Sequence, residues 1–515
     1  MSTPDPAGRR RGLIGVALAM LVACTVYLPR LGADGLVDSE GHRAVTGWEL
    51  RDRVTAGDND LLVTTLFETP YLRKPPGVPW LMALSAQAFG ESAWSARFVS
   101  AMAMILAAGV AAIAAWAWFG SAAAIWAGCA QALMPLFWQS GRAAEIEAAN
   151  NLATQVACFA CVAAACARPR GIVFAIVPFA MLLAIAMVFL MKGPASATVL
   201  IAILLATRLL VQRSSREEAR AWDREWGWIW GAIWGFAILG LVFIANRLMT
   251  VDQAVTQAPS AFLFEPGKIP QILAMPFVAL ASALPMALLM PAVPPSPEDR
   301  RDRIALSLVL GCLGGVVLLA LVGVSNPRYA MPAFVLLPPL AGYAAVRYRE
   351  FAAGRPLPPG EARRARIYGR VLVRQGVAWL IALMVGAQVY IWAIEPARDA
   401  RSGERAGLAL AEFVPEDAVV YAHELVEARP EVLHALRRAA NCHVVWAYPF
   451  DGAPGLPEPG GYVAIRTDGA VGSREIDAFE RAGLADRIEP IAGGAVHIFE
   501  FTLYRVRRMG PAVDQ

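Results

Sequence analysis

Val37-Asp38-Ser39-Glu40-Gly41-His42-Arg43 opens, and Tyr71-Leu72-Arg73-Lys74-Pro75-Pro76 closes, the first long polar interval of the chain, residues 31–76. One apolar run precedes it and many follow. Those runs decide the fold. The 515 residues are 57% hydrophobic and 17% charged, whereas an average soluble domain is about 25% charged and about 45–50% apolar. The excess lies in runs of roughly 18 or more apolar residues, enough to cross a hydrocarbon core about 30 Å thick. The pattern is that of a multi-pass membrane protein, not a soluble or nucleic-acid-binding one. The net charge of +4 says little, because the positions of Lys and Arg matter more than their sum.

Residues 12–29 follow Arg9-Arg10-Arg11 and read as an uncleaved first helix with a cytoplasmic N-terminus. Further spans are expected near 95–117, 120–138, 149–167, 172–190, 194–211, 227–246, 270–292, 304–323, 331–347 and 375–395, about eleven in all. Alternate loops are then rich in arginine, for example Arg213, Arg216, Arg220 and Arg224, or Arg300, Arg301 and Arg303. This places residues 38–76, 141–151, 191–194, 247–270 and 326–329 on the outer side of a cytoplasmic membrane. Lys74, Arg142, Lys192 and Arg328 fall there against the usual bias, and an anion is the simplest reason.

After Glu395-Pro396 the composition turns to that of soluble sequence. Residues 418–422, 443–447, 461–465 and 496–502 read as strands, and 404–413, 430–440 and 474–483 as helices. The expected architecture is an all-α polytopic transmembrane domain, 1–396, and a small soluble α/β domain, 397–515, on the outer side. The histidines of the tail lack ligand spacing. Cys158-x-x-Cys161 sits in an alanine-rich run without a second pair and reads as small residues packing between helices.

The chemistry-bearing residues cluster in the outer segments. A carboxylate at the membrane surface, Asp38 or Glu40, can serve as general base on an acceptor hydroxyl. Pro75-Pro76 stiffens the chain beside Lys74. Arg142, Glu145 and Glu147 stand at a helix mouth, where ionisable groups are functional or paired with each other. Lys192-Gly193-Pro194 and Asn326-Pro327-Arg328-Tyr329 each place a cation where one span gives way to the next. Arg grips a phosphate with paired hydrogen bonds and Lys acts as a point charge. The set suggests a phosphate-bearing lipid whose head group reacts at the interface.

Asp38/Glu40, Tyr71–Pro76, Phe89-Gly90, Trp94-x-x-Arg97, Arg142…Glu147, Lys192–Pro194 and Arg328-Tyr329, in this order, resemble the membrane-embedded GT-C glycosyltransferases. The group in view is the bacterial relatives of protein O-mannosyltransferases and of the lipid A aminoarabinose transferase. The resemblance runs over the first two thirds of the chain. There are departures: the family's adjacent Asp-Glu pair is split here by Ser39, and its second acid, usually Asp, is Glu147 here, with Glu145 as a rival. By spacing to Glu49 and Lys74, Glu40 occupies the place of the family's Glu, and Asp38 is displaced by one.

The resemblance implies a GT-C-like fold and a polyprenyl-phosphate sugar donor, with transfer to a lipid, glycan or protein acceptor and inversion at the anomeric carbon. It implies catalytic roles for Asp38 or Glu40 and for Glu147. Lys74, Arg142, Lys192, Arg328 and Tyr329, with Tyr71, His42 and Arg43 of the first outer loop, become substrate- and phosphate-binding candidates. No metal is expected to be obligatory, since several cations already face the phosphate. Membrane lipids are the remaining partner. A transporter of a lipid-linked saccharide is the alternative, but it needs ionisable or helix-breaking residues at mid-membrane, whereas these charges gather at one face.

Overall fold

Among the described residues the apolar runs fold as helices, and several of the breaks between them fall at a proline or glycine, such as Gly90, Gly120 and Pro135. The computed structural model describes residues 6–37, 39–58, 60–167, 183–192, 196–214, 269–295, 299–324, 326–356, 359–369, 375–397, 402–446, 460–467, 476–477, 479–480, 488–496 and 499–507. In chain order the helices are α1 (Pro6–Tyr27), α2 (Glu40–Thr55), α3 (Gly77–Phe89), α4 (Ala93–Phe119), α5 (Ser121–Leu133), α6 (Pro135–Arg142) and α7 (Ile146–Ala167). There follow α8 (Leu183–Lys192), α9 (Ala197–Ser214), α10 (Ile269–Ser282), α11 (Arg300–Leu321), α12 (Met331–Phe334), α13 (Pro338–Ala352), α14 (Pro359–Gly369) and α15 (Gly376–Val389). The tail adds α16 (Glu404–Ala411), α17 (Glu424–Ala428) and α18 (Pro430–Ala440). The chain divides into two compact units.

The first unit holds Met1–Pro29, Arg73–Gly77 and Phe98–Ile391. Its helices approach through small residues. A Cβ on Gly128 of α5 would sit 2.3 Å from Ala19 Cβ of α1, and one on Gly311 of α11 would sit 2.5 Å from Ile203 Cδ1 of α9. Lipid gives apolar helices no hydrophobic reason to associate, so close approach and dispersion must serve instead, and small residues permit both. Between α5 and α6 the axis bends by 64°. Met134 is extended (φ −68°, ψ 116°) and Pro135 opens α6, as a residue forced out of the helical region by a following proline should be.

Among the described residues, five helical segments are long and apolar enough to cross a membrane: Pro6–Tyr27, Ala93–Phe119, Arg300–Leu321, Arg328–Ala352 and Gly376–Ala397. Counting α5 with α6, and α10 with the 3-10 turn Met286–Ala292, as one bent span each makes seven. The multi-pass architecture is therefore present, but the count of about eleven is not reached within these residues. The expected span at 227–246 and much of that at 172–190 lie outside them. The span expected at 331–347 is broken into α12 and α13, at a sequence carrying Pro332, Pro338 and Pro339.

The second unit holds Arg30–Leu72, Val78–Arg97 and Trp392–Gln515, so the polar interval 31–72 groups with the tail. Its five-stranded sheet has the order β4-β3-β5-β7-β6, built from β3 (Val419–Ala422), β4 (His443–Trp446), β5 (Tyr462–Arg466), β6 (Ile488–Val496) and β7 (Phe499–Val506). β3 runs parallel to β4 and β5, and β7 antiparallel to β5 and β6. The core beneath it includes Val463, Ile465, Phe479 and Val506. The single strand expected at 496–502 is instead the end of one strand and the start of the next, with Val496 paired to Phe499. Pro490, Gly493 and Gly494 dilute the strand signal of β6. Of the helix expected at 474–483, residues 476–477 and 479–480 are helical and the rest lie outside the described residues. A short hairpin of β1 (Thr65–Leu66) and β2 (Thr69–Pro70) sits in the polar interval.

Candidate active site

Within the first unit, four charged side chains from distant parts of the chain meet. The helical path stops after Arg142, where Ala143 turns extended (φ −105°, ψ 150°), and resumes at Ile146. Glu145 therefore precedes α7 and Glu147 lies in its first turn, where the exposed N–H groups favour an anion. Ser100 of α4 fixes the break by donating from Oγ to the Glu145 carbonyl (3.1 Å). Lys192 lies in α8. Arg328 rides on the 3-10 turn Pro327–Ala330, held by the Asn326 side-chain oxygen, which accepts its backbone N–H at 2.9 Å.

The ends of these elements converge. Lys192 Nζ lies 3.1 Å from Glu147 Oε1, and Arg328 Nη2 lies 3.0 Å from Glu147 Oε2 and 3.1 Å from Glu145 Oε1. Lys192 Nζ also sits 4.4 Å above the Tyr329 ring, a cation–π contact. Lys192 and both acids are buried, whereas the Arg328 side chain is 40% exposed. The arrangement is two cations pre-set by two carboxylates, with one guanidinium open to a ligand. Lys74, half-buried, belongs to the same unit. A Cβ on Gly77 would lie 2.7 Å from the Leu190 carbonyl oxygen, so the Lys-Pro-Pro-Gly segment runs against the end of α8 just before Lys192.

Arg142 was expected at the phosphate or paired with Glu145 or Glu147. Its guanidinium donates to the carbonyls of Val26 (2.8 Å) and Pro29 (2.7 Å), and the residue is 1% exposed. These are carbonyls at the end of α1, which have no partner inside their own helix.

In the second unit, Glu40 opens α2 and is fully engaged. Arg97 Nε donates to Oε1 (2.9 Å), Arg97 Nη2 to Oε2 (2.7 Å), and the Val37 N–H also donates to Oε2 (2.9 Å). The same guanidinium donates to the carbonyls of Leu31, Asp34 and Gly35. One arginine thus staples the loop before α2 to α2 itself. Arg97 was legible only as part of Trp94-x-x-Arg97, and its partner 57 residues away was not. Glu40 thus sits in a buried ion pair with Arg97. Asp38 lies outside the described residues. His42 and Arg43 are buried on α2. His42 stacks on Tyr71 at 6.0 Å, and Tyr71 faces Trp446 of β4 at 6.3 Å.

Sequence reading also missed Glu91, which lies between α3 and α4. It stands 3.5 Å from His434 Nε2 and 3.4 Å from Arg438 Nη1, and it pairs with Arg51. His434 beside it, with the positive charges of Arg51 and Arg438, holds its carboxyl down at about 2, below the ordinary 4.5. A depressed folded pKa gives stability that is present above the unfolded value and lost as pH falls through the folded one. The window is pH 4.5 down to about 2. Melting curves of Glu91→Gln are expected to depend less on pH across that window than those of the parent. Parallel curves would remove Glu91 as a source of acid sensitivity.

Comparison with known proteins bears on this geometry. The family model described as dolichyl-phosphate-mannose-protein mannosyltransferase matches residues 73–244. Among solved structures, the chain is similar to ArnT from Cupriavidus metallidurans bound to undecaprenyl phosphate, at 17% identity and a TM-score of 0.61, covering 97% of this chain and 98% of that one. The same protein in the apo state gives 16% identity and a TM-score of 0.60, with 97% and 98% covered. No curated protein sequence gives a significant match. The likeness in fold extends over nearly the whole of both chains.

Proposed function

We propose that this multi-pass membrane protein, whose fold is that of the GT-C glycosyltransferases, moves a sugar from a polyprenyl monophosphate to a hydroxyl-bearing lipid, glycan or protein acceptor. The reaction runs at the outer face of the cytoplasmic membrane, with the N-terminus inside and the tail outside. The observation that carries this reading is the convergence of Lys192 and Arg328 on Glu147 beside Tyr329. In the donor the phosphate is a diester with one negative charge. As the bond between the anomeric carbon and the phosphate oxygen breaks, the electron pair passes to that oxygen and the leaving phosphate gains a second charge. Cations at that oxygen therefore bind the transition state more tightly than the donor. Glu145 and Glu147 act as positioning residues that hold the two cations in place.

The acceptor hydroxyl attacks the anomeric carbon from the opposite face and gives its proton to a carboxylate. We assign that role to Asp38, since both oxygens of its neighbour Glu40 are already engaged by Arg97. In this single displacement the configuration inverts. The test is transfer in membranes charged with a polyprenyl-phosphate sugar. Asp38→Asn is expected to lose at least about 100-fold in rate, the low end of general-base contributions, with the protein still folded. Full activity in Asp38→Asn would end the assignment. Because the cations are supplied by side chains, transfer is expected to persist in EDTA; loss that added magnesium or manganese restores would show that a metal is required.

A further inference from the structure

The second unit contains a cavity that the reaction above does not use. It is open to solvent on one side and holds about 360 Å³ between α2, α18 and the turn before α4, within the roughly 300–1,000 Å³ range of small-molecule sites. Three guanidinium groups line it, Arg51, Arg437 and Arg438, and so do three carboxylates, Glu49, Asp52 and Glu91. The lining is thus charge-balanced, which makes it a poor trap for phosphate. Every member of the set is held by another. Arg437 lies 3.2 Å from Glu49, Arg51 Nε donates to Asp52 at 3.0 Å, and Glu91 is shared by Arg51, Arg438 and His434.

This is the lining a polyhydroxyl ligand suits. Each sugar hydroxyl both donates and accepts, and paired carboxylates and guanidinium groups present acceptors and fork donors side by side. The floor is rigid. Glu49 accepts from Thr65 Oγ1 (2.9 Å) and from the Phe67 N–H (2.7 Å) in the β1–β2 hairpin. The rim, Asp52 and Arg438, is more than half exposed and free to adapt. Trp48 and His434 supply an aromatic wall, their rings 4.6 Å apart.

We propose that this cavity is a subsite for a neutral saccharide unit of the acceptor, an inference that rests on the glycosyltransferase reading above. It makes the acceptor a glycan or glycolipid.

The test is saturation-transfer NMR on the full-length protein in detergent, with no donor present. The probes are methyl glycosides of glucose, galactose, mannose and arabinose. At least one is expected to bind, to be weakened about tenfold by Asp52→Ala or Arg438→Ala, the worth of one hydrogen bond to a charged group, and to stay bound when inorganic phosphate is added. Trp48→Ala provides a further variant that removes half of the aromatic wall. No binding by any glycoside, binding unchanged in all three variants, or displacement by phosphate would each overturn the proposal. The two readings fail separately. Glycoside binding in a protein whose transfer ignores Asp38→Asn removes the assigned base and leaves the cavity standing. Intact, Asp38-dependent transfer without glycoside binding removes only the cavity.

Discussion

Lys192→Met and Arg328→Met should each lower the rate of sugar transfer by about 10²–10³-fold, the range seen when one donor to a developing oxyanion is removed. The loss should fall on kcat more than on KM. The phosphate carries its extra charge only as the glycosidic bond breaks, so an interaction with that charge is made in the transition state and not in the ground state. Folding should survive. Losing Lys192 still leaves Glu147 with Arg328 at 3.0 Å, and losing Arg328 still leaves it with Lys192 at 3.1 Å. Arg328→Lys should fall between, since it keeps the charge and loses the fork that spans Glu145 and Glu147. Single-turnover rates in membranes with a saturating polyprenyl-phosphate sugar would decide it. A kcat at parent level in both variants would take these cations out of the chemistry.

Arg97→Met should be the most destabilising substitution outside the bundle core. The side chain is 7% exposed and Glu40 1%. Its removal leaves a buried carboxylate without its counter-charge and three carbonyls, those of Leu31, Asp34 and Gly35, without their donor. Breaking a buried pair from one side costs about 3–5 kcal/mol, which for a unit of this size is a fall in melting temperature on the order of 10 °C. Glu40→Gln should lose less, because the amide oxygen still accepts one bond from the guanidinium. Arg97→Lys should not rescue, as one ammonium cannot reach five acceptors. Melting followed by size-exclusion chromatography in detergent provides the measurement. A parent-like melting temperature for Arg97→Met would mean that the staple contributes nothing.

How much of this was legible in the sequence depends on how far apart the partners are. α18 could be read from Pro430 at its start and its apolar spacing, and it was found at 430–440. Strands β3, β4 and β5 stood out through their β-branched and aromatic runs. Lys192 and Arg328 were conspicuous because the sequence reading puts them on the outer side, where membrane-spanning chains carry fewer cations. What was hidden is pairing across long separations. Nothing local to Glu40 announces Arg97, and nothing local to Arg142 announces the carbonyls of Val26 and Pro29. The bend at Met134-Pro135 was also overlooked, because an apolar run keeps its hydropathy across a proline that redirects its axis.

The second unit is assembled from 30–72, 78–97 and 392–515, and Gly41 near the start of α2 abuts Glu431 of α18 closely enough that a Cβ would stand 2.5 Å from its carboxylate. A ribosome adding about 5–20 residues per second needs roughly 15–60 s to make the intervening stretch of about 300 residues. For that interval the early loop has emerged while the surfaces that will cover it do not yet exist. Maturation of this half of the protein is thus tied to synthesis of residues 392–515, and a chain stalled before them keeps its first polar loop undocked, open to proteases and quality control.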